Sequence, residues 1–450
     1  MQNLFIVGGS DAGISAALRA RELAPDWRVT VAVADRFPNF SICGIPYFLS
    51  REVATADDLA HRKVADIEAL GIELLLNHSV ERIELAARRV WLRGAGERGF
   101  DKLILGTGAA SVCPPIAGLD LPGVFLLRWM GDTFAFDDYV MSRSPKSIAI
   151  VGAGYIGMEM AEAMTHRGLK VTVTEMAPEV MTTIDPDLGA LVAAELRHHA
   201  VDVVTRQAIA SIIQDGAALV LEGPGGFRRN ADMVLVAAGA QPETGLARSV
   251  GARIGIRGAV KVDRRMQTGV DDVYAAGDCV ETFHRVTQSN TYLPLGTTAH
   301  KQGRIAGENA VGGDREYEGS LGTQSVRVFG LVVARTGFHD RDARAAGFDP
   351  LSVDTVAWDH KIYYPGAKSM TIRLTADRTT KRVLGAQIVG AYGTEVSKRI
   401  DIFATAIHHG MTVESLNDLD LSYTPPLSSP WDPVQMAAQT WSLSARLASR

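Results

Sequence analysis

The sequence predicts an α/β fold with two parallel-sheet units and a C-terminal α+β domain, and three observations support this prediction. A buried strand, a glycine-rich turn, a helix and a second strand that ends in an acid occur in that order from Leu4. The same order recurs from Ser147. Beyond about residue 320 such turns stop, and short strands precede two helical patterns. A chain of 450 residues has room for about three domains.

The composition is that of a folded, mildly acidic protein. Hydrophobic residues make up 46% and charged residues 22%, which rules out a disordered or fibrous chain. Lys and Arg together number 46, Asp and Glu together number 51, and the formal net charge is −5. General nucleic-acid binding requires a basic surface, so we expect no nucleic-acid partner.

Membrane and metal-binding signals are weak. Glycines and a Pro-Pro pair interrupt the longest uncharged stretch, 103–119, so we expect no membrane span. The N-terminus lacks the basic and apolar regions of a signal peptide. The distant cysteines Cys43, Cys113 and Cys279 exclude a disulfide framework and form no Cys-x-x-Cys pair. We therefore expect a cytoplasmic protein without a metal site.

The first unit has a pattern typical of dinucleotide binding. Strand Leu4–Val7 enters the turn 8–13, in which a serine replaces the usual middle glycine, and helix Ile14–Leu23 follows. Strand Arg28–Ala34 then ends at Asp35. Glycines let backbone N–H groups approach a pyrophosphate, which the positive N-terminus of the helix holds.

The second unit carries the complete fingerprint. Glu175 ends its second strand, where a carboxylate accepts hydrogen bonds from ribose hydroxyls. Its charge disfavours the 2′-phosphate of NADPH, so NADH is the expected nucleotide. The elements are strand Ser147–Val151, the glycines Gly152, Gly154 and Gly157, helix Met158–Arg167 and strand Lys170–Thr174.

Three further segments complete these Rossmann-like units. Strands over 100–105 and 231–236 each enter a glycine turn, the first at Thr107-Gly108 and the second at Gly239. A strand from about residue 268 ends in Tyr274-Ala275-Ala276-Gly277-Asp278, with the aspartate expected at a helix start. Asp278 is a candidate to bond a ribityl or ribose hydroxyl, and helix capping is the alternative.

The C-terminal part is expected to form an antiparallel sheet with two helices and to support an interface. The predicted strands are Ser325–Phe329, Leu331–Thr336, Ser352–His360, Ser369–Leu374 and Arg382–Val389, and the predicted helices are Glu395–His409 and Val413–Asn417.

Together these motifs resemble the flavin-dependent pyridine nucleotide–disulfide oxidoreductases over essentially the whole chain. The resemblance implies FAD in the first unit, a nicotinamide nucleotide in the inserted second unit and a third domain that forms a homodimer. The implied division is FAD-binding 1–112, NAD(P)H-binding 113–236, FAD-binding 237–320 and dimerisation 321–450.

The resemblance also implies which residues contact the cofactors. Implied FAD contacts are Gly8, Gly13, Asp35 and Asp278, and implied NADH contacts are Gly152, Gly154, Gly157 and Glu175. Thr107, Gly108, Gly239 and Gly277 are further cofactor-binding candidates, and Tyr155 matches an aromatic residue that covers the flavin until the nicotinamide displaces it.

The segment from Phe40 to Tyr47 contains Cys43 and no second cysteine, and so resembles the single-cysteine branch of this family. That branch comprises coenzyme A disulfide reductases, NADH oxidases, NADH peroxidases and persulfide reductases. Segments 295–304, 363–367, 384–390 and 421–426 resemble its signatures. A thiol in a turn that enters a helix has its thiolate favoured by the helix dipole. A lone thiol is oxidised to a mixed disulfide, persulfide or sulfenic acid, so Cys43 is the predicted redox residue.

Tyrosines provide the expected proton donor. Tyr363 and Tyr423 match the tyrosines, one from each subunit, that stabilise the leaving thiolate in the reductases, with Tyr364 as an alternative to Tyr363.

Several residues depart from the patterns of the branch. Peroxidases and water-forming oxidases of the branch carry a histidine where this chain has Asp11, which disfavours a peroxidase. Ile42 and Trp431 depart from the coenzyme A disulfide reductase pattern. Val33 replaces the usual ribose-binding Glu and leaves Asp35 as the candidate.

Three functions remain open on these residues. The first is an FAD-dependent, NADH-preferring reductase of a small-molecule disulfide or persulfide, with NADPH use possible. The second is an NADH oxidase in which reduced flavin passes electrons to oxygen. The third is a non-enzymatic flavin redox sensor or electron carrier.

Overall fold

The computed structural model describes residues 1–448, and its first sheet confirms the predicted α/β arrangement. Helix Asp11–Leu23 follows the first strand and begins three residues before the predicted Ile14. The five strands are all parallel, in the edge-to-edge order Val273–Ala275, Lys102–Leu105, Asn3–Val7, Arg28–Val33 and Ile72–Leu76.

The second parallel sheet repeats this plan. Helix Tyr155–His166 begins directly after Gly154, so the glycine turn is shorter than predicted and Tyr155 lies in the first helical turn. The strand order is Asp202–Val204, Lys170–Thr174, Ser147–Val151, Met233–Val236 and Val124–Leu126. The two neighbouring strands Ser147–Val151 and Met233–Val236 are apolar runs rather than alternating sequences, because side chains such as Ile150 and Leu235 are fully buried.

Small antiparallel sheets flank the parallel ones. A two-stranded ribbon, Ala109–Ser111 with Ala240–Pro242, joins the segments that leave the first unit and return to it. The three-stranded sheets are Val80–Glu84, Arg89–Leu92 and Gly96–Gly99, and Ser211–Asp215, Ala218–Gly223 and Phe227–Ala231. The other two-stranded sheet is Thr282–His284 with Ser289–Thr291.

The C-terminal domain is the predicted antiparallel sheet packed against helices. Helix Pro433–Ala448, which the sequence analysis did not assign, packs on this sheet and buries Trp441 to 1% exposure. The indole N–H of Trp441 donates to the carbonyl oxygen of Leu351 at 2.7 Å. The strand order is Gln324–Val328, Leu331–Gly337, Val383–Ala391, Ser369–Asp377 and Pro350–Trp358.

The remaining helices connect and cover these sheets. The α-helices are Ile45–Leu49, Val64–Ala69, Met130–Arg143, Pro186–His198, Gly245–Ser249, Gly296–Ala310, Asp340–Ala345, Val396–His408 and Val413–Asn417. Short 3₁₀ turns lie at Ile42–Gly44, Ala56–Leu59, Pro224–Gly226 and Ile256–Gly258.

Helices Asp11–Leu23 and Gly296–Ala310 pack unusually closely. A Cβ atom at Gly303 would lie 2.1 Å from the carbonyl oxygen of Ala12, and one at Gly307 would lie 2.2 Å from that of Ala16. Glycine at both positions is therefore required for this approach, which holds the start of the first helix against the second.

Candidate active site

A cavity of about 1520 Å³ brings most of the predicted site residues together. Both glycine turns open onto it, as do parts of the C-terminal domain. The predicted residues that line it are Gly8, Asp35, Cys43, Thr107, Gly108, Gly154, Tyr155, Gly239, Gly277 and Asp278. The predicted residues outside its lining are Gly13, Gly152, Gly157, Glu175, Tyr363 and Tyr423.

The glycines serve two different purposes. Gly8 has a φ of +107°, and a Cβ atom at Gly13 would lie 1.8 Å from the carbonyl oxygen of Gly8. Likewise, a Cβ atom at Gly157 would lie 2.1 Å from the carbonyl oxygen of Gly152. A Cβ atom at Gly154 would meet nothing within 4 Å. Gly13 and Gly157 are thus needed for backbone packing, whereas Gly154 leaves space for a ligand at the start of the helix, as a pyrophosphate requires.

Cys43 lies in the 3₁₀ turn Ile42–Gly44, ahead of the five-residue helix Ile45–Leu49. Its side chain is exposed and lines the cavity, and the surrounding protein desolvates the sulfur in part. Burial raises the pKa of Cys43, and the negative charge of Glu159 raises it further. Desolvation and nearby carboxylates therefore act against the predicted stabilisation of the thiolate by the helix dipole.

Glu159 is a cavity residue that the sequence analysis missed. It lies one helical turn after Tyr155, and its carboxylate accepts a hydrogen bond from the Tyr47 hydroxyl at 3.1 Å. Burial raises the pKa of Glu159 to about 7. The sequence could have indicated Glu159, because it lies four residues after Tyr155 and residues i and i+4 share one face of a helix.

Asp278 does not begin a helix, contrary to expectation. It follows strand Val273–Ala275 in a turn, and the next α-helix begins at Gly296. Its carboxylate accepts a hydrogen bond from the Arg128 guanidinium at 2.6 Å, and both side chains are less than one-fifth exposed. Arg128, a cavity residue 150 positions away in sequence, was also missed.

The two strand-end acids bind backbone amides. Glu175 accepts N–H hydrogen bonds from Ala153 and Ala177, each at 2.8 Å. Asp35 accepts one from Phe37 at 2.8 Å. Glu175 thereby ties the end of its strand to the glycine turn, which places its charge beside the turn rather than on the cavity wall.

The other predicted residues fall into two groups. Tyr155 lies on the cavity wall, where burial raises its pKa and the charge of Asp278 raises it further. Thr107 donates its hydroxyl hydrogen to the carbonyl oxygen of Glu243 at 2.5 Å. Tyr363 and Tyr423 lie away from this cavity and are 71% and 44% exposed. Within one chain, the tyrosines and Cys43 therefore do not share a site.

Comparisons with known proteins agree with this geometry. Residues 2–303 match the pyridine nucleotide-disulphide oxidoreductase model, and residues 323–433 match the dimerisation domain of the same family. The chain belongs to this family. It is an oxidoreductase that uses FAD and NAD(P)H, and the open Gly154 turn fits such a nucleotide.

Individual relatives extend over nearly the whole chain. A Pyrococcus furiosus NAD(P)H sulfur oxidoreductase (CoA-dependent) is 34% identical over 97% of this chain and 98% of the relative. A Methanocaldococcus jannaschii NADH oxidase is 31% identical over 97% of both chains. The structure of an NAD-dependent persulfide reductase from A. fulgidus is 34% identical with a TM-score of 0.94, covering 99% of this chain and 84% of that one.

The helices of residues 1–448 were compared with the requirements for crossing a bilayer. None of the helices there combines the length and the apolar character that crossing a bilayer demands.

Proposed function

We propose that this protein is an NADH-preferring flavoenzyme that reduces a small disulfide or persulfide through Cys43. One observation carries the proposal: of the three cysteines, Cys43 lines the cavity onto which both glycine turns open. Cys279 is buried, with its sulfur near the carbonyl oxygens of Leu105 and Ala276. Cys113 is an exposed thiol outside that cavity lining.

The cofactor assignments follow from the two turns. We assign FAD to Gly8, Gly13, Asp35 and Asp278, and NADH to Gly152, Gly154, Gly157 and Glu175. We assign four further residues to the cofactor-binding sites: Thr107, Gly108, Gly239 and Gly277. FAD, when bound, takes a hydride from NADH and supplies an electron pair to sulfur. The corresponding division is 1–112 with 237–320 for FAD, 113–236 for NAD(P)H and 321–450 for the dimer.

The thiol chemistry is carried by side chains of this protein. The Cys43 thiolate attacks one sulfur of the substrate, forms a mixed disulfide and releases the other sulfur as a thiolate. A phenol donates a proton to that thiolate, and two-electron reduction of the mixed disulfide returns the Cys43 thiolate and releases the remaining half of the substrate as a second thiolate. Tyr155 lies on the wall of this cavity. We assign it the role of covering the flavin until the nicotinamide displaces its side chain.

The proton donor is proposed to come from a second subunit of a homodimer. Residues 323–433 match a dimerisation domain, and several large apolar side chains within this range are exposed. Tyr363, Leu427 and Trp431 are 71%, 72% and 51% exposed, and exposed large apolar side chains are typical of an interface. We propose that Tyr423 of the partner subunit, with Tyr363 nearby, completes the site at Cys43.

The acceptor is proposed to be of the coenzyme A type, in line with the CoA-dependent Pyrococcus relative. The Methanocaldococcus relative named NADH oxidase supports oxygen as a second candidate acceptor. The three free thiols favour a reducing compartment, so we propose a cytoplasmic location.

Anaerobic NADH consumption tests the proposal, with coenzyme A disulfide, coenzyme A persulfide, glutathione disulfide and polysulfide as acceptors. Wild-type protein should turn over one of them, and Cys43→Ser should not, although its FAD remains reducible by NADH. Cys113→Ser is the matched control and should keep full activity. Full disulfide turnover by Cys43→Ser would refute the mechanism. Turnover with oxygen alone would favour the oxidase, and a single reduction without turnover would favour a redox sensor or carrier.

A further inference from the structure

Three side chains from distant parts of the sequence converge beside this cavity. Asp11 is the first residue of helix Asp11–Leu23, His61 follows the 3₁₀ turn Ala56–Leu59, and His300 lies in helix Gly296–Ala310. Their ligand atoms all lie within 4.8 Å of one another. The close packing at Gly303 sets the distance between Asp11 and His300, because it presses the two helices together at that turn.

The spacing of these atoms is that of a metal site. His300 Nε2 lies 3.4 Å from Asp11 Oδ1. In a tetrahedral zinc site with bonds of about 2.0–2.2 Å, ligand atoms are separated by roughly 3.3–3.6 Å. No two ligand atoms of the cluster are more than 4.8 Å apart, and the exposed His61 ring meets the His300 ring edge-on, with 6.2 Å between the centroids.

The orientation of His300 provides an independent observation. Its Nδ1 atom lies 2.9 Å from the Ser15 hydroxyl oxygen, so Nε2 is left facing Asp11. Histidines that bind metals nearly always hydrogen-bond through their other ring nitrogen, because this fixes the tautomer and the ring plane. Ser15 is on the same helix as Asp11, one turn later, and therefore supports a ring that is already aimed at the carboxylate.

A second cluster has similar spacing, but its carboxylates are already paired with an arginine. Glu52, Glu162 and His166 also have ligand atoms within 4.8 Å of one another. Arg327 already lies 2.6 Å from a Glu52 oxygen and 3.0 Å from a Glu162 oxygen, so those charges are compensated. Arg128, whose charge acts on Asp11, is instead paired with Asp278 at 2.6 Å.

We propose that Asp11, His61 and His300 bind one Zn²⁺ ion at the edge of the cavity. Two imidazoles and a carboxylate are ligands that zinc accepts readily. The Asp11 and His300 side chains are 24% and 45% exposed, so a fourth coordination position faces solvent or the cavity.

Zinc titration of the FAD-loaded protein against a chromogenic chelator tests this site. Wild-type protein should bind one Zn²⁺ per chain, His300→Ala and His61→Ala should each lose at least tenfold in affinity, and Ser15→Ala should lose about tenfold. His166→Ala and Cys43→Ser are controls and should bind as the wild type does. Flavin absorbance confirms that each variant is folded.

X-ray absorption identifies the ligands directly. The expected first shell contains nitrogen and oxygen at about 2.0–2.1 Å and no sulfur at about 2.3 Å. A sulfur shell, or loss of binding in Cys43→Ser, would assign the ion to the redox cysteine and overturn the proposal. Unchanged affinity in both histidine variants, or no stoichiometric binding by the wild type, would overturn it as well.

Discussion

The substitution Glu159→Gln should stabilise the protein, and the gain should grow with pH. Burial raises the pKa of Glu159 from its ordinary value of 4.5 to about 7. The folded protein therefore holds this proton more tightly than the unfolded chain does, and stability falls as pH rises from 4.5 to about 7. Above that range the full penalty for burying the charge is about 3 kcal/mol.

Glutamine avoids this penalty at every pH. Its side-chain carbonyl can still accept the hydrogen bond that the Tyr47 hydroxyl donates to Glu159 at 3.1 Å. The free energy of unfolding of Glu159→Gln should exceed that of the wild type by about 1 kcal/mol at pH 5 and about 3 kcal/mol at pH 8. Urea denaturation followed by tryptophan fluorescence, at one protein concentration, measures both differences.

Two further measurements separate this explanation from a general packing effect. Tyr47→Phe removes a hydrogen bond that lowers the pKa of Glu159, so its pH-dependent loss of stability should extend to higher pH. The charge of Glu159 raises the pKa of Cys43, so iodoacetamide should modify Cys43 faster in Glu159→Gln than in the wild type. A stability difference that is the same at pH 5 and pH 8 would refute the reasoning.

Three further predictions follow from other contacts. Glu175→Gln removes the charge that opposes a 2′-phosphate, so the NADH-to-NADPH ratio of kcat/KM should fall by about tenfold, and an unchanged ratio would contradict the assignment. Arg399→Met leaves Asp432, which is 10% exposed, without its cation at 3.1 Å, and the free energy of unfolding should drop by about 3–5 kcal/mol. Adding Asp432→Leu should recover part of that loss, and no recovery would show that the pair is not the cause. Gly303→Ala places a Cβ atom 2.1 Å from a backbone oxygen and should lower that free energy by about 1–3 kcal/mol, whereas Gly131→Ala, with open space around it, should not lower it. Equal effects of the two alanines in denaturant unfolding would exclude the close helix contact as the reason.

Local sequence determined the parts of this protein that depend on short-range geometry. The turns 8–13 and 152–157 were identifiable because a strand, a left-handed glycine and a helix start leave few alternative residues. Strands Ser147–Val151 and Lys170–Thr174 were predicted to the residue, since the first is largely apolar, the second is rich in β-branched Val and Thr, and turn residues bound both. Cys43 was likewise predicted as the redox residue because it is alone in its segment, and the structure places it on the cavity.

Tertiary structure alone decided which charges meet. Arg128 and Asp278 are 150 residues apart, and their ion pair depends on how two sheets and a connecting ribbon are placed. Burial and the charge of Glu159 raise the pKa of Cys43, and neither effect is visible in the sequence segment around the cysteine. Asp11 and His300 meet because Gly303 permits one helix to touch another. Electrostatic and metal-ligand contacts act through space over a few ångströms, and the spacing of residues along the chain does not encode such distances.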